Sequence, residues 1–131
     1  MKDALPELLT ALFAKLATDS WQWFVGVAPQ NQPVPYGIIR GAFAVDNSTQ
    51  GREGASHIFT LELFGGDAIT VSTKMSAVID LLDRSKLSLT GSHVNWCAEM
   101  QGQMEWLHEG DPDFPYFIAR QRVRYKTEYT A

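Results

Sequence analysis

The stretch that decides the fold is Ser56-His57-Ile58-Phe59-Thr60-Leu61-Glu62-Leu63-Phe64, followed by Gly65-Gly66-Asp67 and then by AITVSTKMSAVIDLL from Ala68 to Leu82. In the first part Phe59, Leu61 and Leu63 recur at every second position while Ile58 and Phe64 take the other face, the pattern of a strand covered on both sides. After the glycines the period changes. Ala68, Val71, Met75, Val78, Ile79 and Leu82 fall at spacings that share one side of a helix, and Asp67 stands where a side-chain cap belongs. Arg84 and Lys86 follow, suited to the negative end of the helix dipole. A central strand that leads at once into an amphipathic helix predicts a sheet with that helix packed against it.

Downstream, Leu87-Ser88-Leu89 reads as a short strand before the Thr90-Gly91-Ser92 turn. From His93 the chain alternates: Val94, Trp96, Ala98 and Met100 against His93, Asn95, Cys97, Glu99 and Gln101. Asp111-Pro112-Asp113 marks a turn, and Tyr116 to Tyr125 forms the last strand, so the two should pair as a long antiparallel hairpin.

Upstream, Leu5, Leu8, Leu9, Leu12, Phe13 and Leu16 predict a helix over residues 3–17, with Asp3 available as its cap and Pro6 tolerated in the first turn. Trp21-Gln22-Trp23-Phe24-Val25 runs into the loop Gly26 to Pro35, whose three prolines stiffen it and restrict any strand to an edge. Tyr36 to Val45 has strand character. Asp46 to Ala55 collects Asp, Asn, Ser, Thr, Gln and two glycines, which places an exposed loop between strands.

These readings give an α+β fold in the order α-β-β-α-β-β, with an antiparallel-dominated sheet of about four strands and both helices on one face. With 131 residues and no linker-like shift in composition, a single domain spanning 1–131 is expected. The longest apolar runs, such as Trp23 to Val27, are far shorter than the roughly 20 residues of a bilayer-crossing helix. The first residues lack the basic, apolar and small-residue sequence of a secretory signal. A single cysteine, Cys97, rules out an intramolecular disulfide, and with it a cytoplasmic origin fits best. The net charge of −4 argues against a domain devoted to gripping phosphate backbone, although a local basic stripe remains compatible with it.

No catalytic residue and no metal ligand set can be assigned, and no cofactor is implied. His57, His93 and His108 lie far apart on different elements, without the one-turn spacing of zinc proteases. His93 and Cys97 share a strand face but stand about 13 Å apart by strand rise, too far for a thiolate–imidazole pair. Cys97 is expected to be a partly buried thiol. Glu105, Glu109, Asp111 and Asp113 surround turn residues and do not follow a calcium-loop order. Gly65-Gly66 precedes a helix without the lysine of a P-loop or a third glycine.

Two features stand out from this plain background. Arg120, Arg122 and Arg124 alternate with Gln121, Val123 and Tyr125, so three guanidinium groups share one face of the last strand. They either pair with Glu99 and Glu105 across the hairpin or form a ridge that meets acidic residues of a neighbouring subunit or passing DNA. The stretch Trp21 to Tyr36 is either a loop that covers the core or an arm that reaches an interface.

Gly26-Val27-Ala28-Pro29-Gln30 followed by Pro35-Tyr36-Gly37-Ile38-Ile39 resembles the Pro-Tyr signature of phage tail-terminator, or tail-completion, proteins, with Pro29, Gln30, Pro35 and Tyr36 carrying the likeness. The order of elements agrees over nearly the whole chain. The resemblance implies a structural protein without catalytic residues. It would form a ring, usually of six copies and in some cases only when templated, on the end of the tail tube, stop polymerisation, and offer a surface to the head–tail connector. Its partners would be itself, the tail tube protein, the connector and passing DNA read without sequence specificity, with no membrane. It would assemble in the host bacterial cytoplasm and remain in the virion tail. Asp46, Asn47, Ser48, Thr49, Gln50, Arg52 and Glu53 then become candidate subunit or tube contacts, and Arg120, Arg122 and Arg124 a candidate basic ridge. A monomeric ligand-binding module or small enzyme with a helix–sheet pocket, and a head–tail connector adaptor, are the alternatives.

Overall fold

A computed structural model describes residues 4–18, 20–30, 32–46, 54–89, 93–95, 97–109 and 116–129. Helix α1 spans Leu5–Leu16 and buries Leu8, Leu12 and Leu16, one per turn, while Leu5 and Leu9 pack at the margin. Phe13, expected on the same side, is 36% exposed. The N-cap position belongs to Ala4, which offers no side-chain bond, and the suggested cap Asp3 lies outside the described residues. Pro6 lacks only an N–H donor that would have been orphaned anyway. Helix α2 spans Ala68–Leu82 and buries Val71, Met75, Val78 and Leu82. Asp67 caps it as its position suggests: its Oδ2 accepts the Thr70 backbone N–H at 3.0 Å.

The strands are β1 (Gln22–Val25), β2 (Tyr36–Asp46), β3 (Gly54–Gly65), β4 (His93–Asn95), β5 (Glu99–Glu109) and β6 (Tyr116–Tyr129). Their lateral order is β1-β2-β3-β6, and β4 and β5 share the far side of β6 along successive stretches. Among the described strands, only β1 with β2 pairs in parallel. The α+β class, the antiparallel dominance and the two helices on one face agree with the sequence reading, but six strands in five lateral positions replace the expected four.

The additional strand is β1. Trp23 sits opposite Gly37, and a Cβ on Gly37 would lie 2.7 Å from the Trp23 ring, so the indole occupies the space that glycine vacates. Trp23 itself is 4% exposed. A four-residue strand whose partner begins more than ten residues later leaves almost no periodic trace.

The second difference lies in the hairpin strand, whose clean alternation breaks between Asn95 and Glu99. The Ala98 N–H donates to the Ser85 carbonyl at 2.9 Å and its carbonyl accepts from Arg84 at 3.1 Å, so Ala98 leaves β6 to bridge Asp83 beyond the end of α2. Asn95 takes the place of a strand partner for Leu87. Its Oδ1 accepts the Leu87 N–H at 3.1 Å and its Nδ2 donates to the Leu87 carbonyl at 2.7 Å. Leu87 is therefore held by a side chain, and residues 87–89 form no strand. The same break leaves Cys97 exposed, contrary to the expected partly buried thiol.

One face of the sheet holds the main core. Phe59, Leu61 and Leu63 of β3 and Ala119, Val123 and Tyr125 of β6 meet the buried leucines of α1 and the Val71, Met75, Val78 and Leu82 face of α2. The opposite face carries a smaller cluster of Ile38, Phe64 and Ile118, against which Phe24, Ala28 and Tyr36 pack. The Tyr36 ring stacks on Phe64 with centroids 4.9 Å apart. No helix of the structure is long and apolar enough to cross a membrane.

Candidate interaction surface

Beyond that small cluster, the face of the sheet opposite the helices becomes charged. Glu62 sits in β3 between Leu61 and Leu63 with its side chain 5% exposed. It is flanked by Arg120 of β6, its registered neighbour, and by Arg40, the extra residue where β2 bulges between Ile39 and Gly41. Arg40 Nε donates to Glu62 Oε1 at 2.6 Å, and Arg120 Nε and Nη2 donate to Oε2 at 3.0 and 2.8 Å. Arg120 Nη1 also reaches Glu105 of β5 at 3.4 Å. Burial alone would raise the Glu62 carboxyl, but hydrogen bonds and charge from the two arginines outweigh it and hold the group below its ordinary value. In turn the bonds to Glu62 raise Arg120.

The arginine ridge read from the sequence therefore divides into parts. Arg120 is bound to Glu62 and Glu105, and Arg124 is paired with Glu99. Arg122, opposite Gln101 and Thr60, is exposed and has no ion pair among the described residues. Glu62, Glu99, Glu105 and Glu128 nearly balance Arg40, Lys126 and the three ridge arginines, so this face offers no continuous positive stripe for a phosphate backbone.

Between β5 and β6 the register slips from Gln101 to Glu105, around Gly102 with φ of +74°. A left-handed residue there costs least as glycine. The bulge opens a cleft of about 380 Å³ lined by Gln101, Gln103, Glu105, Arg120, Gln121 and Arg122. Gln121 holds it from the core side, its Nε2 donating to the carbonyls of Arg122 and Gly102 at 3.0 and 3.2 Å.

The other sequence candidates are scattered. Asp46 ends β2 opposite Ala55. Asn47, Ser48, Thr49, Gln50, Arg52 and Glu53 lie outside the described residues. Pro29, Gln30 and Pro35 are exposed, and Tyr36 opens β2. The Trp21 to Tyr36 segment thus covers core through Trp23, Phe24, Ala28 and Tyr36, while Val27 and Val34 face solvent.

On the helix-covered face, His57 is buried and its Nε2 lies 3.2 Å from Thr127 Oγ1. The neighbouring Tyr125 phenol is fully buried, and burial pushes its ionisation far upward. Among the described residues no group of three or more His, Cys, Asp and Glu side chains could hold a metal ion.

Sequence reasoning missed the Arg40–Glu62–Arg120 group. Its signal was present as a glutamate alternating into an otherwise apolar strand, a position that requires cationic partners.

No protein-family model and no curated protein sequence matches this chain. Among solved structures, it is similar in fold to a chain of the virion of a native gene transfer agent particle, with a TM-score of 0.82 and 16% identity, over 98% of this chain and 99% of that one.

Proposed function

We propose that this chain is a structural component of a phage-like particle that completes the tail as a ring: it caps the tail tube, halts its polymerisation and presents a surface to the head–tail connector. The observation that carries this reading is the end-to-end match to a chain of a gene transfer agent virion, which leaves almost no residues of either chain unmatched. The Pro-Tyr segment and the order of elements support the narrower role at the tail end. The sheet face supports it differently: its ion pairs are largely satisfied within the chain, as expected of a rigid building block whose remaining exposed groups meet other proteins. In this role residues 46–53 contact the tube or a neighbouring subunit, and Arg122 is the ridge arginine that reaches outward.

Deleting the gene in a particle-producing host tests the proposal. The expected phenotype is heads without attached tails and tube polymers of uncontrolled length, restored by supplying the chain in trans. Particles with tails of normal length and normal attachment would contradict it.

A further inference from the structure

Strand β1 stops at Val25, opposite Ile39, while β2 continues to Asp46. Every residue from Arg40 to Ala44 is exposed, and among the described residues no strand pairs with the outer side of this stretch. Sheet edges that face solvent are normally guarded by charge, proline or an interrupting bulge. After the bulge at Arg40, the sequence Gly41-Ala42-Phe43-Ala44-Val45 has none of these guards. The opposite edge is managed differently. Residues 84–85 cover Ala98, and the Gly102 bulge interrupts β5, which leaves Glu105–Glu109 as its regular outward stretch.

We infer that residues 41–45 of β2 pair with the Glu105–Glu109 edge of β5 in a second copy of this chain, so that the sheet continues from copy to copy; the inference rests on the ring reading proposed above. Polarity is the first argument. Three antiparallel pairings separate β2 from β5, so in copies that share one orientation around a ring axis these two edges meet antiparallel.

Side-chain fit is the second argument. Each edge exposes one large ring, Phe43 at 55% and Trp106 at 53%. The register places Phe43 on the charged face and Trp106 on the helix-covered face. An antiparallel pairing with Ala44 opposite Trp106 puts Phe43 opposite Leu107, which keeps each side chain on a matching face and sets a small residue against the indole.

Through Ala119 and Leu63, Trp106 lies level with Gly37 in its own sheet. Pairing it with Ala44 of the next copy shifts the register by about six residues, roughly 20 Å of rise over about 19 Å of sheet width, the four strand spacings from β2 through β3, β6 and β5 to the next β2. The resulting strand tilt of about 45° lies at the upper end of the range at which sheets close on themselves.

Cross-linking tests the pairing. Ala44→Cys and Trp106→Cys are combined in a Cys97→Ser chain, oxidised at high concentration and separated without reductant; Phe43→Cys with Leu107→Cys provides a second pair. Because pairing raises the local thiol concentration, a head-to-tail ladder of covalent multimers is expected at about tenfold the level given by Ala14→Cys with Trp106→Cys, a control that uses exposed Ala14 of α1. A ladder no stronger than the control from both pairs overturns the inference. Native mass spectrometry of the unmodified chain then separates the two failures. A ring without a ladder means that copies meet through another surface and the ring reading stands, whereas a monomer without a ladder, with tail tube ends added as template as well as without them, removes both.

Discussion

Glu62 and Arg120 face each other across β3 and β6, with one carboxylate oxygen accepting both Nε and Nη2 of the guanidinium at 3.0 and 2.8 Å. The carboxylate is almost fully covered, whereas Arg120 and Arg40 each remain partly in contact with water. Such a group is costly to break from the buried side, because Arg40 then loses its counter-charge and Arg120 keeps only the longer contact with Glu105.

Glu62→Gln should therefore lower stability by about 1–3 kcal/mol, the range for losing charge-assisted bonds at a covered site. Urea unfolding followed by circular dichroism measures it, and an unchanged midpoint would show that the group contributes nothing net.

The same residue predicts an acid limb. Its folded-state value lies below 4.5, so its contribution is present above that ordinary value and is lost as pH falls through the lower, folded one. The stability gap between the parent chain and Glu62→Gln should shrink as pH drops from about 7 to about 3. A gap that stays constant would place the carboxyl outside this linkage.

Tyr125 predicts an effect at the other end of the scale. Its folded phenol is held neutral well above 10.0, so the stability that it contributes is present below that value and lost as pH rises through the folded value. Its hydroxyl has no hydrogen-bond partner among the described residues. Tyr125→Phe should be neutral or stabilising by up to about 1 kcal/mol near neutral pH and should lessen the alkaline loss. A marked loss at neutral pH would reveal a partner for the hydroxyl.

Gly37→Ala should cost about 1–3 kcal/mol, because the added methyl would meet the ring of a buried tryptophan that cannot withdraw. Trp23 fluorescence should shift as the ring is displaced. An unaltered spectrum and midpoint would mean that β1 lies elsewhere.

The ridge arginines should separate by experiment. Arg122→Gln should change stability by no more than about 0.5 kcal/mol, whereas Arg120→Gln should cost about 1–3 kcal/mol. If Arg122 meets another chain, its substitution should weaken assembly without unfolding the domain. Equal stability losses at the two positions would contradict this division of roles.

How far the sequence could be read depends on where each element finds its partners. Helix α2, its Asp67 cap and β3 are written in local periodicity and emerge nearly as expected. The pairing of Arg124 with Glu99 and of Arg120 with Glu105 was legible as one of two options, because alternation puts those residues on one face. Strand β1 was not legible: its stability comes from Trp23 filling the space over Gly37, a contact formed only after distant segments meet. The break at Ala98 was hidden for the same reason, since its cause is the chain leaving α2. Glu62 was visible as an anomaly in β3, but its partner Arg40 turns toward it only through a bulge that no local pattern announces. The bare edge of β2 is likewise defined by where β1 ends.

Whether the chain works as a ring is read from the solution mass of the purified protein from micromolar to millimolar concentration, alone and with tail tube ends present as template. Growth from monomer to one closed oligomer is expected in at least one of the two, with six copies as the endpoint and no further polymerisation. A mass that remains at monomer or dimer throughout, with the template as well as without it, would contradict it.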